Sequence, residues 1–207
     1  MLILHKIKKL VNRTPLLQSL YNASRLVIQI IPFYLVREYP AGNVEEQTCC
    51  APAIEHIDVV SLGEEDMKTI SETPGVRHTR QELVKRLSDG WLCLGLNHHS
   101  RMIAWMWSNP NACDSRLLRF PLRENEAYLT DARTLEEFRG KNLAPYLRQE
   151  LYRRLRDMGR TEIYSITEYF NRPAVAFKKK LGAKASGFYL HVLLLKKLEF
   201  TVRLRKY

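Results

Sequence analysis

The chain has 207 residues, 45% hydrophobic and 27% charged, which excludes wholesale disorder and suits one domain with an appendage. Its net charge of +11 sits at the ends: residues 1–40 hold six Lys or Arg against one acid, residues 171–207 hold ten against one, and 41–170 hold seventeen against twenty. Such ends suit anionic partners, namely phosphorylated cofactors, acidic carrier proteins or an anionic membrane surface; nucleic acid is set aside because no reading helix and no aromatic–basic platform is legible.

In residues 1–13, Ile3, Ile7, Leu10 and Val11 recur at helical spacing among Lys6, Lys8, Lys9 and Arg13. Thr14-Pro15 is a helix start, an N-cap hydroxyl before proline at the first helical position. Leu16, Leu17, Leu20, Val27, Ile30 and Ile31 continue an apolar stripe up to Pro32. Residues 1–39 are therefore expected to form a basic amphipathic helical extension. No apolar run approaches the roughly 20 residues that span a bilayer. The stripe suits an anchor lying on an anionic membrane through residues 1–36, or packing against the domain or a second copy in a homodimer. Residues 40–53 read as a linker. The four cysteines, Cys49, Cys50, Cys93 and Cys113, lack any CxxC or other metal-like spacing. They read as reduced thiols of a cytoplasmic protein, with no metal expected.

From residue 54 short strands alternate with helices. Strands are expected at 56–60, 91–96, 102–107, 126–134, 162–167 and 188–195, with one more at 199–205, and helices at 64–71, 79–88, 142–158 and 173–181. The helix at 142–158 is marked by Leu143, Leu147, Leu151 and Leu155, and a polar turn between Asn97 and Arg101 closes a hairpin. Strand, helix, strand over 126–167 makes a parallel crossover, so the domain is mixed α/β.

Two stretches carry chemistry. In EEFRGKNLAPYL, residues 136–147, a turn with Arg139, Gly140 and Lys141 opens the strong helix. Free N–H groups and the helix dipole favour an anion there, as a phosphate cradle does. In NRPAVAFKKKLGAK, residues 171–184, Asn171 caps a helix that Gly182 ends. Spaced and ordered in this way, residues 91–195 resemble the GNAT superfamily of N-acetyltransferases. The family's cofactor loop, Arg/Gln-x-x-Gly-x-Gly/Ala, aligns with Arg139, Lys141, Asn142 and Ala144. Its second motif, Asn-x-x-Ala-x-x-Leu-Tyr-x-Lys-x-Gly-Phe, aligns with Asn171, Ala174, Phe177, Lys178, Lys180, Gly182 and Ala183.

The resemblance implies a mixed, mostly antiparallel sheet flanked by helices, whose parallel fourth and fifth strands splay apart. The domain would span 54–207. It further implies a CoA thioester, acetyl-CoA or another acyl-CoA, as co-substrate and an amine acceptor that attacks it directly. The pantetheine arm would pair with Thr134 and Leu135, and the pyrophosphate would lie over amides of residues 140–145, including Leu143, with Asn171 nearby. Two departures stand out: Asn142 replaces the first loop glycine, and Lys178 stands where many relatives carry a tyrosine that protonates the departing thiolate. Lys178 or Tyr169 would serve as acid; Asp131, Glu168 or His191 would serve as base. Trp91, Trp105, Trp107 and Tyr128 pack the core or, for Trp105 and Trp107, line an acceptor pocket. The acceptor suggested by the basic ends is an amino sugar or lipid-linked precursor at a membrane surface. The alternatives are long-chain transfer from acyl-CoA or acyl carrier protein, and a non-catalytic scaffold.

Overall fold

A computed structural model describes residues 28–39, 52–195 and 197–207. The strands in chain order are β1 Ile28–Glu38, β2 Ile57–Ser61, β3 Leu92–His98, β4 Arg101–Asn109, β5 Ala112–Asp114, β6 Arg119–Pro121, β7 Glu126–Thr134, β8 Glu162–Glu168, β9 Lys184–Leu194 and β10 Leu198–Lys206. The helices are α1 Met67–Glu72, α2 Arg80–Ser88, α3 Leu143–Asp157 and α4 Arg172–Lys180. Eight strands form one sheet in the order β10-β9-β1-β8-β7-β4-β3-β2, antiparallel except for β7 and β8, and β5 pairs with β6 separately.

Local chemistry explains most elements. His99 and Ser100, at φ 49° and 63°, turn the β3–β4 hairpin in two residues, as the twist of a hairpin requires. Thr79 and Glu82 form a reciprocal capping box that starts α2. The leucine stripe of α3 is buried against Leu94, Leu96, Met106, Leu129 and Ile163 on one face of the sheet. Met67, Ile70, Leu83, Trp105 and Trp107 make the second core, between α1, α2 and the other face. Alternation along β4 splits its side chains between the two, with Ala104 and Met106 on the α3 face and Trp105 and Trp107 on the other.

One expectation is corrected. The helix read as running through Ile30 and Ile31 is instead β1, so residues 28–38 belong to the sheet and not to a helical extension. An anchor helix on a membrane through residue 36 is excluded for this stretch, because Phe33, Leu35 and Val36 are buried in the core. The physical reason is pairing: β1 is wedged between β8 and β9, antiparallel to both. Pro32 is tolerated because it lies at the end of the β1–β8 ladder, which begins at Phe33 opposite Glu168; its carbonyl accepts from the Tyr169 amide at 2.9 Å, and the ladder forgoes only the N–H that proline lacks. The helical reading of residues 1–27 and most of the linker, with Cys49 and Cys50, lie outside the described residues. Cys93 and Cys113 are buried free thiols. Among the described residues no helix is long and apolar enough to cross a membrane.

Candidate active site

The site begins where two parallel strands part. β7 and β8 pair from Glu126 opposite Glu162 only as far as Leu129 opposite Ser165. Beyond that, β7 follows β4, with Thr130 opposite Trp107 and Thr134 opposite Ala104, while β8 follows β1, with Ile166 opposite Leu35 and Glu168 opposite Phe33. The result is a slot through the sheet whose β7 wall, residues 130–134, has no strand partner on that side among the described residues. An unpaired edge of this kind is ready to take an extended ligand as an added strand. Thr134 and Leu135 lie at the end of this wall; the Leu135 amide donates to Ile103 O at 2.9 Å on the β4 side.

The chain then makes one tight turn at Glu136–Phe138 and enters α3. Gly140 at φ 78° and Asn142 at φ 60° take left-handed conformations that shape the loop. No turn, loop or cap hydrogen bond engages the amides of Gly140, Lys141, Leu143 and Ala144 among the described residues. Pro145 carries no N–H, so the cradle of residues 140–145 reduces to 140–144. Arg139 is exposed, 3.5 Å from Glu136, and Lys141 Nζ lies 4.8 Å from the centre of the Phe138 ring. Because asparagine already accepts its left-handed geometry, Asn142→Gly is expected to be near neutral for stability. Asn142→Val should cost about 1–2 kcal/mol, read from urea unfolding.

Asp131 sits on the α1–α2 face. It occupies an irregularity where β7 and β4 lose register, with φ 48°. Its carboxylate accepts from Arg86 at 2.6 Å and lies 3.5 Å from His78 Nε2, while Arg86 stacks over Trp91 and Trp107 at 4.7 and 5.4 Å. A cavity of about 210 Å³ opens beside it, lined by Asp131 with Arg77, His78, Arg133, Trp105 and Trp107 among others. The two tryptophans thus pack the core and floor this cavity as well.

Lys178 sits on the opposite face. It is buried and donates to Ile166 O at 3.1 Å and to the Thr167 hydroxyl, on the β8 wall beyond the last β7 pair. Close by is a buried polar cluster that sequence reading missed. Glu38, only 1% exposed, accepts from Arg148 at 2.6 and 3.1 Å and also from Tyr152 and Ser165. Burial pushes the Glu38 carboxyl up, but the Arg148 guanidinium, with smaller help from Lys178, holds it below the ordinary range. Burial and the nearby Arg148 push the Lys178 ammonium down to about 7, with Glu38 opposing them. Arg148 and Tyr152 follow Leu147 and Leu151 on the helix stripe, a legible sign of burial; Glu38 carried none.

The remaining candidates are placed as follows. Glu168 is exposed at the end of β8. Tyr169 is 46% exposed and its ring meets Tyr34 and Phe188, on the β1–β9 side of the slot. Asn171 caps α4, its Oδ1 accepting from the Ala174 amide at 3.2 Å, which occupies the side-chain oxygen locally. His191 is buried on β9 against Thr201 of β10, two strands from β8. His98 and His99 stay at the hairpin turn.

The family profile described as the acetyltransferase (GNAT) family matches residues 60–183. Among curated proteins no sequence matches the chain. Among solved structures, a Drosophila protein is 16% identical with a TM-score of 0.59, over 83% of this chain and 54% of its own. A GNAT-family acetyltransferase from Novosphingobium aromaticivorans is 19% identical with a TM-score of 0.55, over 86% of this chain and 67% of its own. A tandem GNAT protein from the clavulanic acid biosynthesis pathway is 14% identical with a TM-score of 0.57, over 92% and 59%. This chain therefore spans about half of the Drosophila protein and about two thirds of the Novosphingobium one, and likenesses at these identities show the fold. The profile covers more than half of the chain, including both strands that part and the helix that opens between them, and the protein belongs to the acetyltransferase (GNAT) family.

Proposed function

We propose that the protein transfers an acetyl group from acetyl-CoA to a primary amine by direct attack. The observation that carries this reading is the slot: among the described residues, a strand edge at 130–134 that pairs with no strand on the β8 side leads to the amides of Gly140, Lys141, Leu143 and Ala144, which no turn, loop or cap bond engages, with Arg139 and Lys141 beside them. These residues fit a CoA thioester, whose pantetheine amides seek strand-like partners and whose phosphates seek amides and cations. The bound thioester supplies an activated acyl group. The chain's own residues orient it, with Thr134 and Leu135 along the arm and residues 139–144 at the phosphates.

The two faces divide the proton work. An acceptor in the cavity beside Asp131 approaches from the α1–α2 face and gives up its proton to Asp131, directly or through water. Lys178, on the other face, hands a proton to the departing sulfur; a group that titrates near 7 suits that task. Nitrogen–carbon bond formation, carbon–sulfur cleavage and both proton transfers then balance, with Asp131 and Lys178 restored by solvent. Glu168 and Tyr169, exposed at the C-terminal end of β8, are the second choice for base and acid.

Calorimetric titration of the full chain tests the reading. Acetyl-CoA is expected to bind, and Arg139→Ala with Lys141→Ala should weaken it about tenfold or more. Binding of no acyl-CoA would overturn the CoA-dependent reading and leave an acyl carrier protein donor or a non-catalytic scaffold.

A longer acyl donor is the second reading. It is favoured by a cavity of about 320 Å³ at Lys178, lined by Tyr34, Val36, Val175, Ala183 and Ala185. An amino-sugar or lipid-linked acceptor at a membrane surface is supported by exposed Ile28, Ile30, Leu198, Phe200 and Val202 on the β1–β9–β10 end of the sheet. Arg205, opposite Phe188, lies on the same face and suits anionic headgroups.

A further inference from the structure

The cavity beside Asp131 holds a charge imbalance that the acetyl-transfer reading does not use. Among the described residues its lining contains one carboxylate, Asp131, and that carboxylate is already paired with Arg86 at 2.6 Å. Two further guanidiniums, Arg77 and Arg133, line the same cavity, and neither has an ion-pair partner among the described residues. Arg133 lies directly opposite Trp105 in the β4–β7 ladder, so the two side chains share the sheet face that floors the cavity. Its Nη2 donates to the Pro74 carbonyl, which fixes the guanidinium over the 74–75 turn. A Cβ at Gly75 would lie only 2.9 Å from that nitrogen, and Gly75 has φ 79°, so glycine both permits the turn and makes room for the arginine. Arg77 follows two residues later on the exposed rim.

We propose that the acceptor is a small primary amine carrying its own anion, a carboxylate or a phosphate, which Arg77 and Arg133 bind while the amine lies toward Asp131. This rests on the acetyl-transfer reading and narrows its acceptor. Three observations support it. Two unpaired guanidiniums attract an anion and repel a polycation, and a partly enclosed cavity strengthens both effects. The planar fork of arginine matches carboxylate and phosphate oxygens two at a time. At about 210 Å³ the cavity is smaller than those that enclose drug-sized ligands, so it takes an amine of amino-acid or monosaccharide scale, or the head of a larger one. The walls from Trp105, Trp107, Ile70 and Val76 favour a flat or apolar body between the two charged groups.

The test uses the full chain and four probes: phenylalanine for the carboxylate source, glucosamine 6-phosphate for the phosphate source, glucosamine as the amine without an anion, and spermidine as a polycation. Binding is read by calorimetry without donor, and acceptor kcat/KM by thiol release with acetyl-CoA. The expected result is that at least one anionic amine binds and reacts at least tenfold better than glucosamine or spermidine, and the better of the two identifies the anion. Arg77→Ala with Arg133→Ala should remove that preference, mainly through KM for the amine, and Arg77→Ala alone, outside the 130–134 edge, should weaken the preference while calorimetric affinity for acetyl-CoA is retained. Arg133→Lys should restore part of it, and Arg77→Glu should shift the preference toward spermidine. Equal or better binding of glucosamine or spermidine, failure of both anionic probes to bind, or an unchanged preference in the double variant would overturn the inference. Loss of acetyl-CoA binding in the unsubstituted chain would instead sink the transfer reading, and donor-free amine binding would still decide this one.

Discussion

Glu38→Ala is expected to destabilise the protein by about 3–5 kcal/mol, more than any other single side-chain change outside the apolar core. Glu38 is 1% exposed and Arg148 2%, so removing the carboxylate leaves a buried guanidinium with no anion and strips Tyr152 and Ser165 of their acceptor. Urea unfolding would measure the loss. Glu38→Leu combined with Arg148→Met should recover most of it, because replacing both charges removes the desolvation cost along with the attraction. An additive loss in the double variant would show that the pair does not act as a unit. The carboxyl also sets an acid limb. Its folded value lies below the ordinary 4.5, so its stabilisation is fully present above that value and is lost as pH falls through the lower folded value. Glu38→Gln should be less stable at neutral pH and should lose that part of the acid dependence. The same logic extends to the whole strand: a chain starting at residue 41 lacks β1, leaving facing edges of β8 and β9 unpaired, and is expected not to unfold cooperatively.

Lys178→Met is expected to lower kcat about 10²–10⁴-fold, the range for loss of a general acid. Acting as an acid, Lys178 must carry its proton, so activity should fall as pH rises through about 7, and the variant should lose that limb. Stability should move the other way. The folded value of Lys178 is depressed from 10.5, so the unfolded chain binds more protons between about 7 and 10.5 and wild-type stability rises with pH across that window. Below it the buried ammonium carries its full desolvation cost, which Met removes. The variant should therefore unfold at a higher temperature than wild type at pH 6, with the gap shrinking toward pH 10. A variant that keeps its activity and its alkaline limb would remove Lys178 from the chemistry and leave Tyr169 or unassisted thiolate departure.

Apart from β5 and β6, the elements from residue 57 onward were legible because each is specified locally. The Thr79–Glu82 capping box, the two-residue turn at His99 and Ser100, and the four-residue leucine spacing of α3 lie within a few residues of the structure they specify. The left-handed geometry at Asn142 was legible on the same ground, because asparagine tolerates it. The short β5–β6 hairpin was not read; at three residues per strand it is too brief to show a period.

β1 was misread for a different reason. Ile28, Ile30, Ile31 and Pro32 match the end of an amphipathic helix as well as a strand, and the partners that decide between them, such as Glu168 and Leu190, lie more than 130 residues away. The environment of Glu38 followed from that pairing: beside Arg37 in the chain it looks like a solvated charge, and only the strand's position delivers it to Arg148, Tyr152 and Ser165. Asp131 was recognised as a candidate from its strand, but Arg86, His78, Arg77 and Arg133 come to it from other elements or through the twist of the bulge. Sequence alone therefore settled the family and the order of elements from β2 onward, β5 and β6 apart, because these depend on short-range spacing and backbone preference. The wedge strand, the buried ion pair and the charge of the cavity beside Asp131 depend on which distant segments meet, and that is set by pairing and burial across the whole sheet.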